Sequence, residues 1–310
     1  SSGWMADFGE YLPLDASVYS GADCASFHNE YPEAWARLNR EAVEEFGAAG
    51  DAVYFVRSAW LRSPGNTPLF WLGDQLVTWD GYDGMRTAVI GALSGGLGGH
   101  ALTHSDIGGY TMEELGPVLN YTRSQELLMR WMELEAFGSA LYRSHVGSSL
   151  SPSNAQVWDN DETMWHFARF ADMFASLAPY RMGLMEEARR RGTPLIRPLA
   201  MHFPGDARAW EQTEEFLFGL DVLVAPVMDP GRHWGEAYLP AGSSWVHLWS
   251  GRGVSGGADG RTVTVHAPLG FPPVFLRPGS SVEDALRLKV QREGLGEGYE
   301  WHEPGPAGAA

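Results

Sequence analysis

Leu69-Phe70-Trp71-Leu72-Gly73-Asp74-Gln75 and, further along, His104-Ser105-Asp106-Ile107-Gly108-Gly109-Tyr110 decide how this chain folds. Each closes a short strand-like run abruptly on a carboxylate, with glycines or a helical pattern after it. Between them, residues 83–97 (DGMRTAVIGALSGGL) space their apolar side chains at helical intervals, so the segment reads strand, helix, strand. A buried parallel strand that delivers an Asp at its carboxyl end is how a (β/α) barrel presents a catalytic group.

Working outward, residues 52–56 (AVYFV) predict a strand that ends at Arg57-Ser58, and Trp4-Met5-Ala6-Asp7 predicts another. Residues 30–46 predict a helix with Trp35, Leu38, Val43 and Phe46 near one face. Downstream, residues 121–137 predict a further helix and residues 141–147 (LYRSHVG) one more strand end. Residues 162–191 form a long helical region interrupted at Pro179. This βα alternation predicts a parallel sheet. From Pro194 the texture changes to short β-rich runs at 194–202, 222–227, 237–239, 246–249, 263–265 and 274–276, separated by Gly and Pro. That is the pattern of an antiparallel β-sandwich. The division expected is a barrel portion over 1–192, a sandwich over 193–280, and a polar, Gly/Pro/Ala-rich flexible tail over 281–310.

The chain has 310 residues, enough for one large domain or two. Its net charge of −17 argues against nucleic acid or an anionic membrane surface as partner, while leaving room for a small anionic ligand in a locally positive pocket. No apolar run is long enough to span a membrane. Cys24 is the single cysteine, which excludes an internal disulfide or a thiolate metal cluster and suits a reducing, bacterial cytoplasm.

Two barrel-borne carboxylates fit retaining glycoside hydrolysis, in which one attacks the anomeric carbon and the other protonates the leaving oxygen across roughly 5–5.5 Å. Asp7 and Asp74 are the candidates, and only the fold could bring them together. Trp4, Phe8, Trp71 and Trp79 nearby suit a sugar platform and low-dielectric walls. From spacing alone, a helix-capping Asp and a solvated Asp explain the pair as well.

Met5-Ala6-Asp7-Phe8-Gly9-Glu10-Tyr11-Leu12-Pro13, Trp71-Leu72-Gly73-Asp74-Gln75 and Ser105-Asp106-Ile107-Gly108-Gly109, taken in order, strongly resemble glycoside hydrolase family 31. The Phe-Gly-Glu-Tyr-Leu-Pro and Gly-Asp-Gln versions look like its sulfoquinovosidase branch. The resemblance runs from about Trp4 to Pro278. It implies the later strands of a (β/α)₈ TIM barrel followed by a β-sandwich, and an enzyme that needs no cofactor or metal. It makes Asp7 the nucleophile and Asp74 the general acid/base. Arg57, Trp71, Asp106 and His145 would line the sugar pocket, and Tyr110 would stand where many α-glucosidases carry Phe and help hold a sulfonate. The family's amino-terminal β-domain and first barrel strands would precede Asp7, with an Arg and a Trp that also bind the sulfonate. Other readings are an α-glucosidase or α-xylosidase of the same family, and an inactive sugar-binding or structural remnant.

Other motifs point elsewhere weakly or not at all. His104 and Asp106 make two possible metal ligands without a third, so His104 reads as a hydrogen-bonded strand-end histidine. Residues 159–162 lack the glycine of a calcium loop, and residues 95–99 fit neither a dinucleotide nor a phosphate loop. Glu10 has no assigned role.

Overall fold

Four short strands lie side by side in one parallel sheet: β1 Gly3–Met5, β2 Val53–Val56, β3 Leu69–Trp71 and β4 Thr103–His104. The structure is a computed structural model that describes residues 2–116 and 120–302. The register sets Met5 opposite Phe55, Val56 opposite Phe70, and Trp71 opposite His104. Every strand therefore runs the same way and releases its following residues at one edge. A parallel bridge from Ile107 to Ser144 carries the sheet direction one step further.

The Tyr31–Glu45 helix packs on β1 and β2 through part of the expected face, with Val43 in the core and Trp35 packed against it. Ala36, Asn39 and Val43 are buried, while Leu38 and Phe46 are exposed. Ala36 lets the helix approach Ala6, Tyr54 and Val56 closely, and Asn39 accepts a hydrogen bond from Trp4 Nε1 at 2.9 Å. The Met85–Leu97 helix matches its expected span within two residues and buries Met85, Ala88, Val89, Ala92 and Leu93.

A helix does not start at Tyr121. Asn120–Tyr121 pairs with Glu113–Glu114, and the Gln125–Gly138 helix begins only after Ser124, whose hydroxyl caps the Leu127 amide. The region 162–191 is two helices, Asp161–Ser176 and Ala178–Arg191. Pro179 lies in the first turn of the second, where a missing N–H costs nothing.

From Ile196 onward the strands are antiparallel. A six-stranded sheet has the order Gly253–Ser255, Ser244–His247, Val274–Leu276, Val222–Val224, Phe216–Phe218, Ile196–Arg197, and Trp234–Leu239 pairs with Arg261–His266 beside it. Neighbouring residues of the central strands serve two different cores. Leu217, Leu223 and Phe275 pack with Ala237, Leu239, Trp245, Val263 and Val265 inside the sandwich. Phe216, Phe218, Val222, Val224, Val274 and Leu276 turn the other way, onto Leu128, Trp131 and Phe137 of the Gln125–Gly138 helix. Burial on both faces explains why these runs are continuously apolar rather than alternating.

Of the flexible tail expected over 281–310, residues 303–310 lie outside the described residues, and the first part is not a trailing segment. Ser281–Arg292 is a helix capped by Ser280, and Val282, Leu286 and Val290 enter the core beside Val274 and Leu276. Its apolar positions recur at a four-residue interval, a pattern masked by the surrounding charges.

A buried ion pair fastens the barrel helix to the sandwich. Arg130 Nη1 donates to Glu133 Oε2 at 2.9 Å and its Nη2 donates to Ala267 O at 2.7 Å, while the Gly270 amide donates to Glu133 Oε1 at 2.6 Å. Phe218 is fully buried and faces the edge of Tyr180 at 5.7 Å between ring centroids. Phe218→Ala removes one of the largest side chains shared by sheet and helices. Its expected cost is about 3–5 kcal/mol. Urea denaturation followed by far-ultraviolet circular dichroism measures it, and a loss under about 1 kcal/mol would show that the sheet–helix seam can collapse around the gap.

Candidate active site

The strand ends of the parallel sheet converge on one guanidinium. Arg57 follows β2 directly, and its side chain is 11% exposed, while the three carboxylates around it are each about one-third exposed. Its Nη1 donates to Asp74 Oδ2 at 2.8 Å. Its Nε and Nη2 donate to Glu10 Oε1 at 2.9 and 2.6 Å, and Nε also lies 3.2 Å from Asp7 Oδ1. Asp7 and Asp74, far apart in sequence, thus meet across a single cation.

The turn after β1 makes this possible. Phe8 has φ +62° and Gly9 φ +94°, two consecutive left-handed residues, the first an uncommon conformation for a phenylalanine. The turn aims the Phe8 amide at Asp7 Oδ1, 2.7 Å away, and is held by Ser58 Oγ donating to Phe8 O at 2.8 Å. A Cβ at Gly9 would come within 2.6 Å of Ser58 Oγ and 2.9 Å of Trp35, so glycine is required there on both counts. The chain then doubles back and brings Glu10 to Arg57.

Of the four aromatic residues expected to wall the site, two do so. The Phe8 ring lies 4.7 Å from the Arg57 guanidinium carbon and the buried Trp71 ring 5.8 Å from it. Trp4 points to the opposite side of β1 and stacks on Tyr54 at 5.5 Å. Trp79 packs against the hydrophobic core.

Burial raises the Asp74 pKa above the usual carboxylate value. Arg57 opposes that rise, and the negative charges of Asp7 and Glu10 add to it. Burial likewise disfavours charge on Arg57, but the hydrogen bonds to Glu10 and the surrounding carboxylates outweigh it and keep the guanidinium firmly cationic.

Asp106 lies deeper, 1% exposed and paired with Arg143 Nη1. Burial pushes its pKa up to about 6 against the pull of Arg143. Beneath it, Ser105 Oγ donates to the buried Glu135 Oε1 at 2.6 Å and accepts from Trp131 Nε1 at 2.8 Å, which fixes the strand end. His104 is not a hydrogen-bonded histidine. Its ring meets Phe55 edge to face at 4.9 Å, and neither ring nitrogen has a partner among the described residues. Burial lowers its pKa to about 3, so it stays neutral.

The loops after β3 and β4 are zipped together. Gln75 O accepts from the Tyr110 and Thr111 amides at 2.8 and 2.9 Å, and Thr111 Oγ1 donates to Asp74 O at 2.8 Å. Gly109, at φ +75°, lets the second loop press on the first: a Cβ there would lie 2.8 Å from Leu76 O. Tyr110 is half-buried against the edge of His145, with ring centroids 4.9 Å apart, and its hydroxyl has no partner among the described residues. His145 Nδ1 accepts from the Gly147 amide at 3.0 Å, and burial together with Arg143 and Arg123 lowers its pKa.

The structure therefore gathers Asp7, Arg57, Trp71 and Asp74 around one point, with Asp106 beneath and Tyr110 and His145 paired beside them. Glu10 and Arg143 also belong to this cluster. The signal for Glu10 was its place just after a Phe-Gly turn, and for Arg143 its place two residues before His145 at the same strand end. Among the described residues no group of three or more histidine, cysteine or carboxylate side chains is arranged to hold a metal ion, and no helix is long and apolar enough to cross a membrane.

Known proteins resemble this chain over most of its length. The chain is 43% identical over 90% of its length to the sulfoquinovosidase of Agrobacterium fabrum, and 42% identical over 90% to that of Escherichia coli. It superposes on a solved family 31 sulfoquinovosidase from E. rectale, in complex with an aza-sugar inhibitor, with a TM-score of 0.86 and 43% identity over 93% of the chain. It spans 41%, 39% and 42% of the lengths of these three relatives. Residues 2–186 match the glycosyl hydrolases family 31 TIM-barrel domain and residues 192–282 the family's C-terminal domain. With the barrel and C-terminal domains of the family matched in order over nearly its whole length, this chain belongs to glycosyl hydrolase family 31.

Proposed function

We propose that the full-length protein is a retaining α-glycoside hydrolase acting on α-sulfoquinovosides. The observation that carries this reading is Asp7 and Asp74 held on one Arg57 guanidinium, near the half-buried Tyr110, whose hydroxyl has no partner among the described residues. The identity to sulfoquinovosidases supports the choice of sugar.

In this mechanism the Asp7 carboxylate attacks the anomeric carbon as the bond to the aglycone oxygen breaks. Asp74 gives its proton to that oxygen, and an ester joins the sugar to Asp7. Asp74, now a carboxylate, takes a proton from water as the water oxygen attacks the same carbon, and the ester bond to Asp7 breaks with its electrons returning to the carboxylate. The Phe8 amide and Arg57 hold Asp7 in its attacking orientation. Asp74 suits the acid role because its surroundings favour the protonated form more than an ordinary carboxylate's do. In this reading Asp106, paired with Arg143, accepts hydrogen bonds from ring hydroxyls, and His145, whose Nδ1 is taken by the Gly147 amide, donates to them through Nε2.

Asp7→Asn in the full-length protein should abolish nearly all turnover. Asp74→Asn should spare aryl glycosides, whose leaving groups need little protonation, and cripple alkyl glycosides. Steady-state kinetics on both substrate types check this, and equal losses on the two would remove Asp74 from the acid role.

Sulfoquinovose carries a sulfonate where glucose carries its 6-hydroxyl, so selectivity needs donors aimed at an anion. Tyr110→Phe keeps the ring against His145 and deletes one donor. A hydrogen bond to a charged group contributes about 1.5–3 kcal/mol, so kcat/KM for an α-sulfoquinovoside should fall roughly ten- to a hundredfold. The matching α-glucoside should change far less. Parallel losses on the two sugars would make Tyr110 a packing residue, and a wild type that prefers the glucoside would overturn the sulfonate reading.

A further inference from the structure

We propose that Glu10 is a positioning residue of this site, one that holds the Arg57 guanidinium along one edge so that its charge is divided among three carboxylates and not concentrated on Asp74. The inference rests on the roles proposed above for Asp7 and Asp74.

Arg57 has five N–H donors in a rigid fork. Glu10 Oε1 accepts two of them, from Nε and Nη2, and this leaves Nη1 directed at Asp74. The Phe8 and Trp71 rings, 4.7 and 5.8 Å from its guanidinium carbon, limit how the fork can turn. Glu10 reaches the fork only because Phe8 and Gly9 turn the chain back through left-handed conformations. That local strain would be an odd feature to maintain for a merely solvated glutamate.

The charge count gives the arrangement a purpose. Before attack the cluster holds Arg57 cationic, Asp7 and Glu10 anionic and Asp74 protonated, a sum of minus one. In the covalent intermediate Asp7 is a neutral ester and Asp74 is anionic, and the sum is again minus one. Arg57 can follow the negative charge from Asp7 to Asp74 without moving, because Glu10 fixes its other edge. The charged groups facing Asp74 are Arg57, Asp7 and Glu10, with Asp83 and the Arg143-paired Asp106 further off. Arg57 is the one cation among the described residues that touches it. If Glu10 lost its charge, Asp74 would lose a neighbour that favours its protonated form and would feel Arg57 more strongly. Both changes draw its proton off at lower pH.

The test is the pH dependence of kcat/KM for the full-length protein, measured on an alkyl α-glycoside for wild type, Glu10→Gln and Glu10→Asp. The limb on which activity falls with rising pH reports the acid. In Glu10→Gln it should move down by roughly half to one pH unit, the scale expected when a charge a few ångströms away is removed from a partly solvated cluster. Glu10→Asp keeps the charge, so its limb should stay near the wild-type position while kcat falls from looser orientation. An aryl glycoside should lose less activity than the alkyl one in Glu10→Gln. An unmoved limb, with equal fold-losses on both substrates, would overturn the proposal and leave Glu10 a structural residue. A second readout needs no turnover: the ¹³C carboxyl signal that disappears in Asp74→Asn should titrate at lower pH in Glu10→Gln than in wild type. An unshifted signal refutes the role of Glu10 even in a protein without hydrolase activity, whereas inactivity of the wild type on every α-glycoside refutes the glycosidase reading.

Discussion

The parallel register of four short strands is the constraint on which the site depends. Met5 lies opposite Phe55, Val56 opposite Phe70 and Trp71 opposite His104, so the residues that follow each strand leave the sheet at one edge. A one-residue slip in any pair would turn a whole strand over and send its side chains to the other face. Asp7, Arg57, Asp74 and Asp106 are neighbours because the hydrogen-bonded ladders do not allow that slip. Backbone pairing sets their approximate positions, and loop chemistry does the finer work.

The finer work is electrostatic. One guanidinium among three carboxylates would be a weak device in water, where charges at such distances are well screened. Here Arg57 is nearly buried against aromatic rings, and the carboxylates are partly withdrawn from solvent. Asp106, deeper still, is pushed toward neutrality by burial and partly returned by Arg143. Asp74 and Asp106, near each other, are thus both drawn toward their protonated forms by burial and both held back by an arginine.

Much of this was legible in the sequence, for reasons that differ by element. The parallel strands were readable because short apolar runs stop abruptly at polar residues, and the Met85–Leu97 helix because its apolar residues recur at helical spacing. On Tyr31–Glu45 the apolar spacing identifies Val43 and Trp35, but close packing on the sheet takes the small Ala36 and the polar Asn39 in place of Leu38 and Phe46. Trp4 was placed in the pocket by proximity to Asp7, although alternation along β1 sends it to the helix side. Glu10 stayed unassigned because its role depends on a left-handed Phe8, which local propensity does not foretell. His104 was credited with a hydrogen bond, but its surroundings are aromatic.

The six-stranded sheet that lies behind the barrel portion has a consequence for how this family's architecture can vary. In Phe216–Phe218, Val222–Val224 and Val274–Leu276, each residue and its immediate neighbour answer to different cores. The sheet is a party wall, and a change of side-chain volume on one side shifts a backbone that the other side also uses. The sequence boundary between the two portions is therefore not a mechanical joint. Recombination that swapped the sandwich between relatives would have to satisfy two packing solutions in the same three strands. Substitutions there should drift in compensated pairs rather than singly, and the two portions should be inherited together.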